Sequence, residues 1–238
     1  MLQNPSGIGF QSTLLSQLGG VIHGFSNRSA GDMKYSSENR DLFAHKLGFK
    51  TSPVLAQQVH DNLIRTVDSQ TMGIVPGVDG LVSRDVTVAV VVADCVPVLL
   101  VDPIGKVIAA VHAGWKGTVG SVVGNAVGEM VRMGGDVRRI YAAIGAHIGG
   151  CCYDVPVERV DVFVNRFGHD EKMAFQSDGK WHLDIGWLNY RQLIEAGVLQ
   201  DNIDAPPTCT SCQNDEFFSY RKDTKETYGE MMAVIGFK

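Results

Sequence analysis

The chain lacks a P-loop: G-x-x-x-x-G-K-[ST] occurs nowhere in it, so the usual phosphate cradle of nucleoside triphosphatases is excluded. It also lacks a basic excess. Lys and Arg number 21 against 26 Asp and Glu, a net charge of −5 with histidine neutral. A general nucleic-acid binder needs a cationic face, so no nucleic-acid partner is expected, although a small anion held by a few local cations fits. Long apolar runs are missing as well. The most apolar stretch, residues 86–101, is broken by Asp94 and Pro97 and falls short of the ~20 residues a membrane-spanning helix needs. The opening MLQNPSGIGFQSTLL has no basic segment followed by an apolar one, so no secretory signal is expected. Five cysteines, an odd number in 238 residues, make no disulfide framework. These absences point to a reduced, cytoplasmic protein with no membrane partner. Histidine is scarce too, with seven in all.

What is present describes a folded, loop-rich chain: 45% hydrophobic residues, 20% charged and 27 glycines, enough to bury a full core. No repeat, low-complexity tract or linker interrupts it, so residues 1–238 are expected to form a single domain. Strands are predicted at 21–25, 54–59, 63–67, 86–92, 96–101 and 107–111 from their valine and isoleucine content. Ser36 or Ser37 caps a helix carrying Leu42, Phe43 and Leu47, which Gly48 stops. TVGSVVGNAVGEMVRMGG carries the clearest apolar stripe, Val122, Val123, Ala126, Val127, Met130 and Val131, and ends at Gly134. Further helices are expected at 155–167 and 186–196. Strands and helices interspersed in this way favour an α/β or α+β layered fold with mixed sheets.

One stretch resists this reading. VVADCVPVLL looks like a buried strand, yet it carries Asp94 and Cys95 side by side with Pro97 just behind. A carboxylate in an apolar run is costly unless it is paired or bound to a metal. Two other apolar stretches end similarly, AQQVHDN at His60 and VIAAVHAGWKGT at His112. Two imidazoles and a thiolate form a three-ligand set that leaves an open position on zinc. A strand-end histidine is also a common structural residue, and a lone cysteine a common small hydrophobe, so both readings stand on spacing alone. CTSC, Cys209 to Cys212, resembles half of a zinc site. Its only companions are the adjacent Cys151 and Cys152, whose spacing suits chelation poorly, so free buried thiols are expected there. HAGWKGT reads as strand, glycine turn and helix, whose free N–H groups suit an anion.

HGFSNR, ENR, QQVHDN, VDGLVS, ADCVPVLLVDP, AAVHAGWKGT, IGAHIGGCCYDV, CTSC and FFSYRKD occur in this order over nearly the whole chain. The set resembles the YfiH family, also called laccase-domain, polyphenol oxidase or peptidoglycan-editing-factor proteins. The resemblance implies a layered α/β/β/α sandwich with the site at one end. It further implies one metal, usually zinc with copper as the other option, on His60, Cys95 and His112. Asp94 would then face the site or hold a ligand from behind. The chain departs from the family pattern at Lys116, where arginine is usual after H-A-G-W. Ala146 and Gly150 replace prolines, and Ser29-Ala30-Gly31 loosens the usual glycine turn.

The activity implied by the resemblance is a purine nucleoside enzyme: phosphorolysis of adenosine, inosine or methylthioadenosine, with adenosine deamination in the same site. Its partners would be purine nucleosides and phosphate, and the chain a monomer or homodimer. Arg28, Lys116 and Arg221 are the candidate phosphate cations, Arg28 foremost for its place in a loop past a strand end. Asp79 and Asp94 are the candidate acids. Two other readings compete. One is a copper polyphenol oxidase, although laccases need a histidine-rich three-copper cluster. The other is a thiol hydrolase or peptidoglycan-precursor editing factor, with Cys95 as nucleophile and His112 as base.

Overall fold

Period-two alternation in the valine-rich strands decides the layers. In Val107–Ala113, Val107, Ala109, Val111 and Ala113 pack into one core while Ile108 and Ala110 enter another. Val96–Asp102 divides the same way, with Val96, Val98 and Leu100 opposite Leu99 and Val101. Val88–Val92 sends Val88 and Val90 into the second core and Ala89 into a third. A strand apolar on both faces belongs in the middle of a layered structure.

The computed structural model describes residues 2–3, 7–206 and 208–238. Its seven-stranded sheet runs Leu2–Gln3, Gly9–Ser12, Val21–Ser26, Met231–Phe237, Val88–Val92, Val54–Gln57, Ile74–Pro76. Its six-stranded sheet runs Ile203–Asp204, Tyr141–Ile144, Val96–Asp102, Val107–Ala113, Gly80–Ser83, Ile64–Val67. The two face each other across the second core. Helices Val122–Arg132, Val157–Phe167 and Ile185–Glu195 cover the outer face of the six-stranded sheet. Helix Ser37–Leu47 covers the seven-stranded sheet through Phe43 and Ala44. This is the expected α/β/β/α sandwich, and both large sheets are mixed.

Some elements differ from the sequence reading. The long glycine-rich helix is two helices, Trp115–Val119 and Val122–Arg132, because Ser121 takes a left-handed conformation at φ 57° between them. Leu42 turns outward from its helix. Met231–Phe237, which no periodicity announces, lies centrally, paired on both sides with Val21–Ser26 and Val88–Val92.

The topology also places the unusual residues. The chain crosses from the seven-stranded to the six-stranded sheet between Gln57 and Ile64, between Pro76 and Gly80, and between Val92 and Val96. These crossings carry His60, Asp79, Asp94 and Cys95. His112 shares the parity of Ile108 and Ala110, so it points between the sheets near its strand's end. Asp94 and Cys95 therefore do not interrupt a strand; they form the turn that joins two.

Candidate metal centre

His60, Cys95 and His112 each present one ligand atom, and the three lie within 4.8 Å of one another. The two imidazoles meet edge to face with ring centres 4.8 Å apart. Bonds to zinc of about 2.0–2.3 Å bring ligand atoms to within ~4 Å of each other, so side-chain adjustment alone closes this set on an ion. Gly114 keeps the space open. A methyl group there would lie 3.3 Å from Cys95 Sγ, 3.3 Å from His60 Cδ2 and 3.4 Å from His112 Cε1, which accounts for the glycine in HAGW. The donor set, two imidazole nitrogens and a sulfur, fits zinc or copper.

Asp79 organises two of the three. It is fully buried; its Oδ1 accepts from His112 Nδ1 at 2.8 Å and from His60 N–H at 2.9 Å, and its Oδ2 from Asp61 N–H at 2.8 Å and Val59 N–H at 3.3 Å. A carboxylate surrounded by donors only accepts, so His112 Nδ1 carries a proton and Nε2 is the nitrogen that a metal would take. Burial pushes the Asp79 carboxyl up, but the His112 and Asp61 hydrogen bonds outweigh it and hold it below its ordinary range. They also hold His60 at a left-handed φ of 59°, a conformation uncommon outside glycine. Burial likewise raises the Cys95 thiol, yet the neighbouring His112 and then His60 bring it down to about 7. Burial lowers His112, while the Cys95 sulfur and Asp79 carry it up to about 9. A thiolate beside an imidazolium is a pair whose shared proton a metal cation replaces.

Asp94, also in a left-handed turn at φ 79°, ties three loops together. Its Oδ1 accepts from Thr210 Oγ1 at 2.6 Å, its Oδ2 from Arg221 N–H at 2.7 Å, and its backbone carbonyl from Ile148 N–H at 2.9 Å. Both side-chain oxygens are thus engaged. The Asp79 carboxyl lies behind the His112 ring and does not line the cavity described next.

The three-ligand cluster opens on a cavity of about 470 Å³. Trp115, Tyr153, Tyr220 and Tyr228 give it aromatic faces, and Lys34, Arg159 and Arg221 give it cations. Arg159 donates to Tyr153 Oη at 3.3 Å and lies 4.6 Å over the Trp115 ring. The Arg221 guanidinium is 5.4 Å from the Tyr153 ring and donates to Asp154 Oδ1 at 2.6 Å. Lys34 Nζ contacts Glu230 Oε1 at 2.8 Å, and Tyr228 Oη donates to the same oxygen at 2.9 Å. Of the expected cations, Arg221 alone is in this wall.

Arg28 is not, which corrects its assignment to phosphate. Its Nε donates to Asn214 O, its Nη1 to Thr227 O, and its Nη2 to Phe217 O and both Asp223 oxygens, while the plane stacks 4.3 Å over Phe218. Its donors are spent inside the protein. Lys116 is exposed, packs near the Trp115 ring, and does not line the cavity. Sequence reasoning missed Lys34, Arg159 and the aromatic wall. Tyr220 and Tyr153 stood inside quoted motifs, whereas Lys34 and Arg159 carry no local signal.

The four remaining cysteines do not stay apart. Cys151, Cys152, Cys209 and Cys212 bring their sulfurs within 4.8 Å of one another, with Cys151 and Cys212 exposed rather than buried. The thiols are free as expected, but the expected burial fails for Cys151 and Cys212; a turn at 149–152 aims both adjacent side chains at Cys212, at 3.5 and 3.4 Å.

Residues 24–238 match the family described as multi-copper polyphenol oxidoreductase laccase. The chain is 36% identical over 212 residues to purine nucleoside phosphorylase YlmD of Geobacillus stearothermophilus, covering 83% of this chain and 77% of that one. It is 35% identical over 181 residues to adenosine deaminase RL5 from an unknown prokaryotic organism, covering 71% and 69%. The crystal structure of the Bacillus licheniformis hypothetical protein YfiH superposes with a TM-score of 0.88 at 27% identity, over 100% of this chain and 99% of that one.

Proposed function

The chain belongs to the YfiH family of laccase-type multi-copper polyphenol oxidoreductase proteins, and from that premise we propose a zinc-dependent purine nucleoside enzyme. It phosphorolyses adenosine, inosine or methylthioadenosine and deaminates adenosine in the same cavity. The observation that carries this reading is the meeting of a His60–Cys95–His112 cluster with a wall of aromatic faces and three cations. A planar purine stacks on aromatic rings, and a phosphate needs charge-assisted donors. Relatives named purine nucleoside phosphorylase and adenosine deaminase support the same two reactions.

The roles follow from position. His60, Cys95 and His112 would hold the ion, which supplies Lewis-acid polarisation at its open position. Asp79 fixes the His112 tautomer and the His60 turn. Arg159 and Arg221 flank Tyr153 and form the phosphate site, with Lys34 a third cation in the same wall. Hydrogen phosphate attacks the ribose anomeric carbon as the bond to the purine nitrogen breaks, and the proton that the phosphate gives up leaves on the purine. Asp94 has both oxygens engaged, so it holds the Arg221 loop rather than delivering that proton.

The copper oxidase reading takes support from the family description alone. Among the described residues no histidine-rich group accompanies His60, Cys95 and His112. A thiol hydrolase would need Cys95 free of metal. Chromatography of products after incubating the purified protein with adenosine, with and without phosphate, tests the proposal. Adenine appearing only with phosphate, and inosine appearing without it, is the expected result. Turnover that persists in metal-stripped protein and is blocked by iodoacetamide would overturn it in favour of the thiol hydrolase.

A further inference from the structure

The second sulfur cluster has no part in the chemistry proposed above. Cys151 and Cys152 follow Gly149 in the loop between strands Tyr141–Ile144 and Asp154–Val155, and Cys209 and Cys212 occupy a turn that packs beside it. The two segments are already docked by backbone. His147 pairs with Cys209 in a parallel bridge, His147 N–H donates to Thr208 O at 3.2 Å, and Thr210 N–H donates to His147 O at 2.9 Å. Four sulfurs from the two segments then converge within 4.8 Å.

We propose that Cys151, Cys152, Cys209 and Cys212 form a tetrathiolate zinc site that clasps these two loops. Four sulfurs at about 2.3 Å from one zinc stand about 3.8 Å apart in a tetrahedron. The two closest approaches here, 3.4 and 3.5 Å, and the 4.8 Å limit on the rest bracket that spacing. Rotation about side-chain bonds is enough to complete it. The backbone offers a donor to a thiolate: Gly149 N–H donates to Cys209 Sγ at 3.3 Å. N–H donors of this kind stabilise negative charge on sulfur. Gly149 itself keeps clearance, since a methyl there would stand 3.3 Å from Cys151 Sγ and 3.4 Å from Cys209 Cβ. On binding, one Zn²⁺ replaces four thiol protons, which pass to solvent, leaving a dianionic centre with no open position.

The clasp is distinct from the His60–Cys95–His112 cluster but braces its cavity. Ile148 and Tyr153, on either side of the cysteine pair, line the cavity wall. Beyond the second pair come Tyr220 and Arg221, also in the wall. Thr210, between Cys209 and Cys212, donates to Asp94. A zinc ion here would set the spacing of Tyr153 and Arg221, to which the phosphate site was assigned. That functional consequence rests on the proposed activity; the metal site does not.

Metal content by plasma mass spectrometry, on protein purified without chelator and gel-filtered, provides the test with zinc itself as probe. The expected result is about two zinc ions per chain in the parent, and about one in Cys95→Ser and in Cys212→Ser alike. Alkylation mapped by mass spectrometry of the folded, zinc-loaded parent guards against a variant that fails to fold. Cys151 and Cys212 are exposed and would be modified first if free. The clasp instead predicts that all four thiols resist together and become reactive together after chelation. One zinc per chain that disappears entirely in Cys95→Ser overturns the proposal. So does prompt alkylation of Cys151 and Cys212 in zinc-loaded protein, or recovery of disulfide-linked peptides between the two loops from that protein.

Discussion

Replacing Asp79 with asparagine isolates what its negative charge does, because size and shape are kept. The carboxylate takes four donors: His112 Nδ1 and His60 N–H on Oδ1, Asp61 N–H and Val59 N–H on Oδ2. Asparagine offers one oxygen and turns an NH2 toward the remaining donors. If the oxygen keeps His112 and His60, the amide confronts Asp61 N–H and Val59 N–H. An N–H robbed of its acceptor costs roughly 1–3 kcal/mol when buried. Asp61 and Val59 are exposed enough for water to compensate in part, so a loss of about 2 kcal/mol in unfolding free energy is expected. Metal affinity should fall as well, because the ligand pair loses a charged anchor. Removing such a partner typically lowers affinity 10–100-fold, about 1.4–2.7 kcal/mol. Competition against a chromophoric chelator gives the affinity, and urea unfolding of metal-free protein gives the stability. Zinc affinity within about twofold of the parent, while His112→Ala loses binding outright, would refute the claim that Asp79 orients the imidazole.

Three further outcomes are expected. Arg28→Ala should lower stability by about 2 kcal/mol, since it removes the ion-pair partner of Asp223 and a donor to the carbonyls of Asn214 and Thr227, yet leave the KM for phosphate close to the parent's; a phosphate KM raised as much as in Arg159→Ala would restore Arg28 to the substrate site. Arg159→Ala should raise the KM for phosphate by roughly tenfold, the loss of one charge-assisted contact, with adenosine deamination less affected; steady-state kinetics with varied phosphate checks it. His23 makes stability fall in acid. Burial lowers it to about 4 from its ordinary 6.5, against a smaller opposing contribution from Asp204. The unfolded chain therefore binds the extra proton between these values, and stability present above about pH 6.5 is lost on the way down through pH 4, by roughly 3 kcal/mol. Urea unfolding at both ends of that window should show this loss in the parent and much less of it in His23→Gln; equal losses would dismiss His23 as the cause.

The three proposed metal ligands were legible because each ends an apolar stretch with a residue that apolar stretches do not need. Asp79 was legible as a candidate acid but its part in holding His112 and His60 was not, since the four donors that fix it come from segments 18 to 33 residues away. Arg28 was misread for a similar reason. Its partners Asn214, Phe217, Asp223 and Thr227 lie 186 to 199 residues further along, and nothing local to FSNR announces them. The cysteine pairs were discounted on sequence spacing, while the backbone bridge at His147 and Cys209 is what brings them together. Met231–Phe237 went unread because only Val234 and Ile235 of its seven residues are β-branched. The layered fold was otherwise recoverable from the period-two strands and the helical stripes.

The chain's three passages from the seven-stranded to the six-stranded sheet divide the proposed ligand set between separate connections. His60 belongs to one crossing and Cys95 to another, while His112 comes from a strand wholly within the six-stranded sheet. A state with both sheets formed but parted has no binding site, so all of the ion's binding free energy accrues to the closed sandwich. With free zinc at a hundred times its dissociation constant that is about 2.7 kcal/mol, added to the apolar contacts already joining the layers. A zinc ion bound there would act as a latch on the inter-sheet seam.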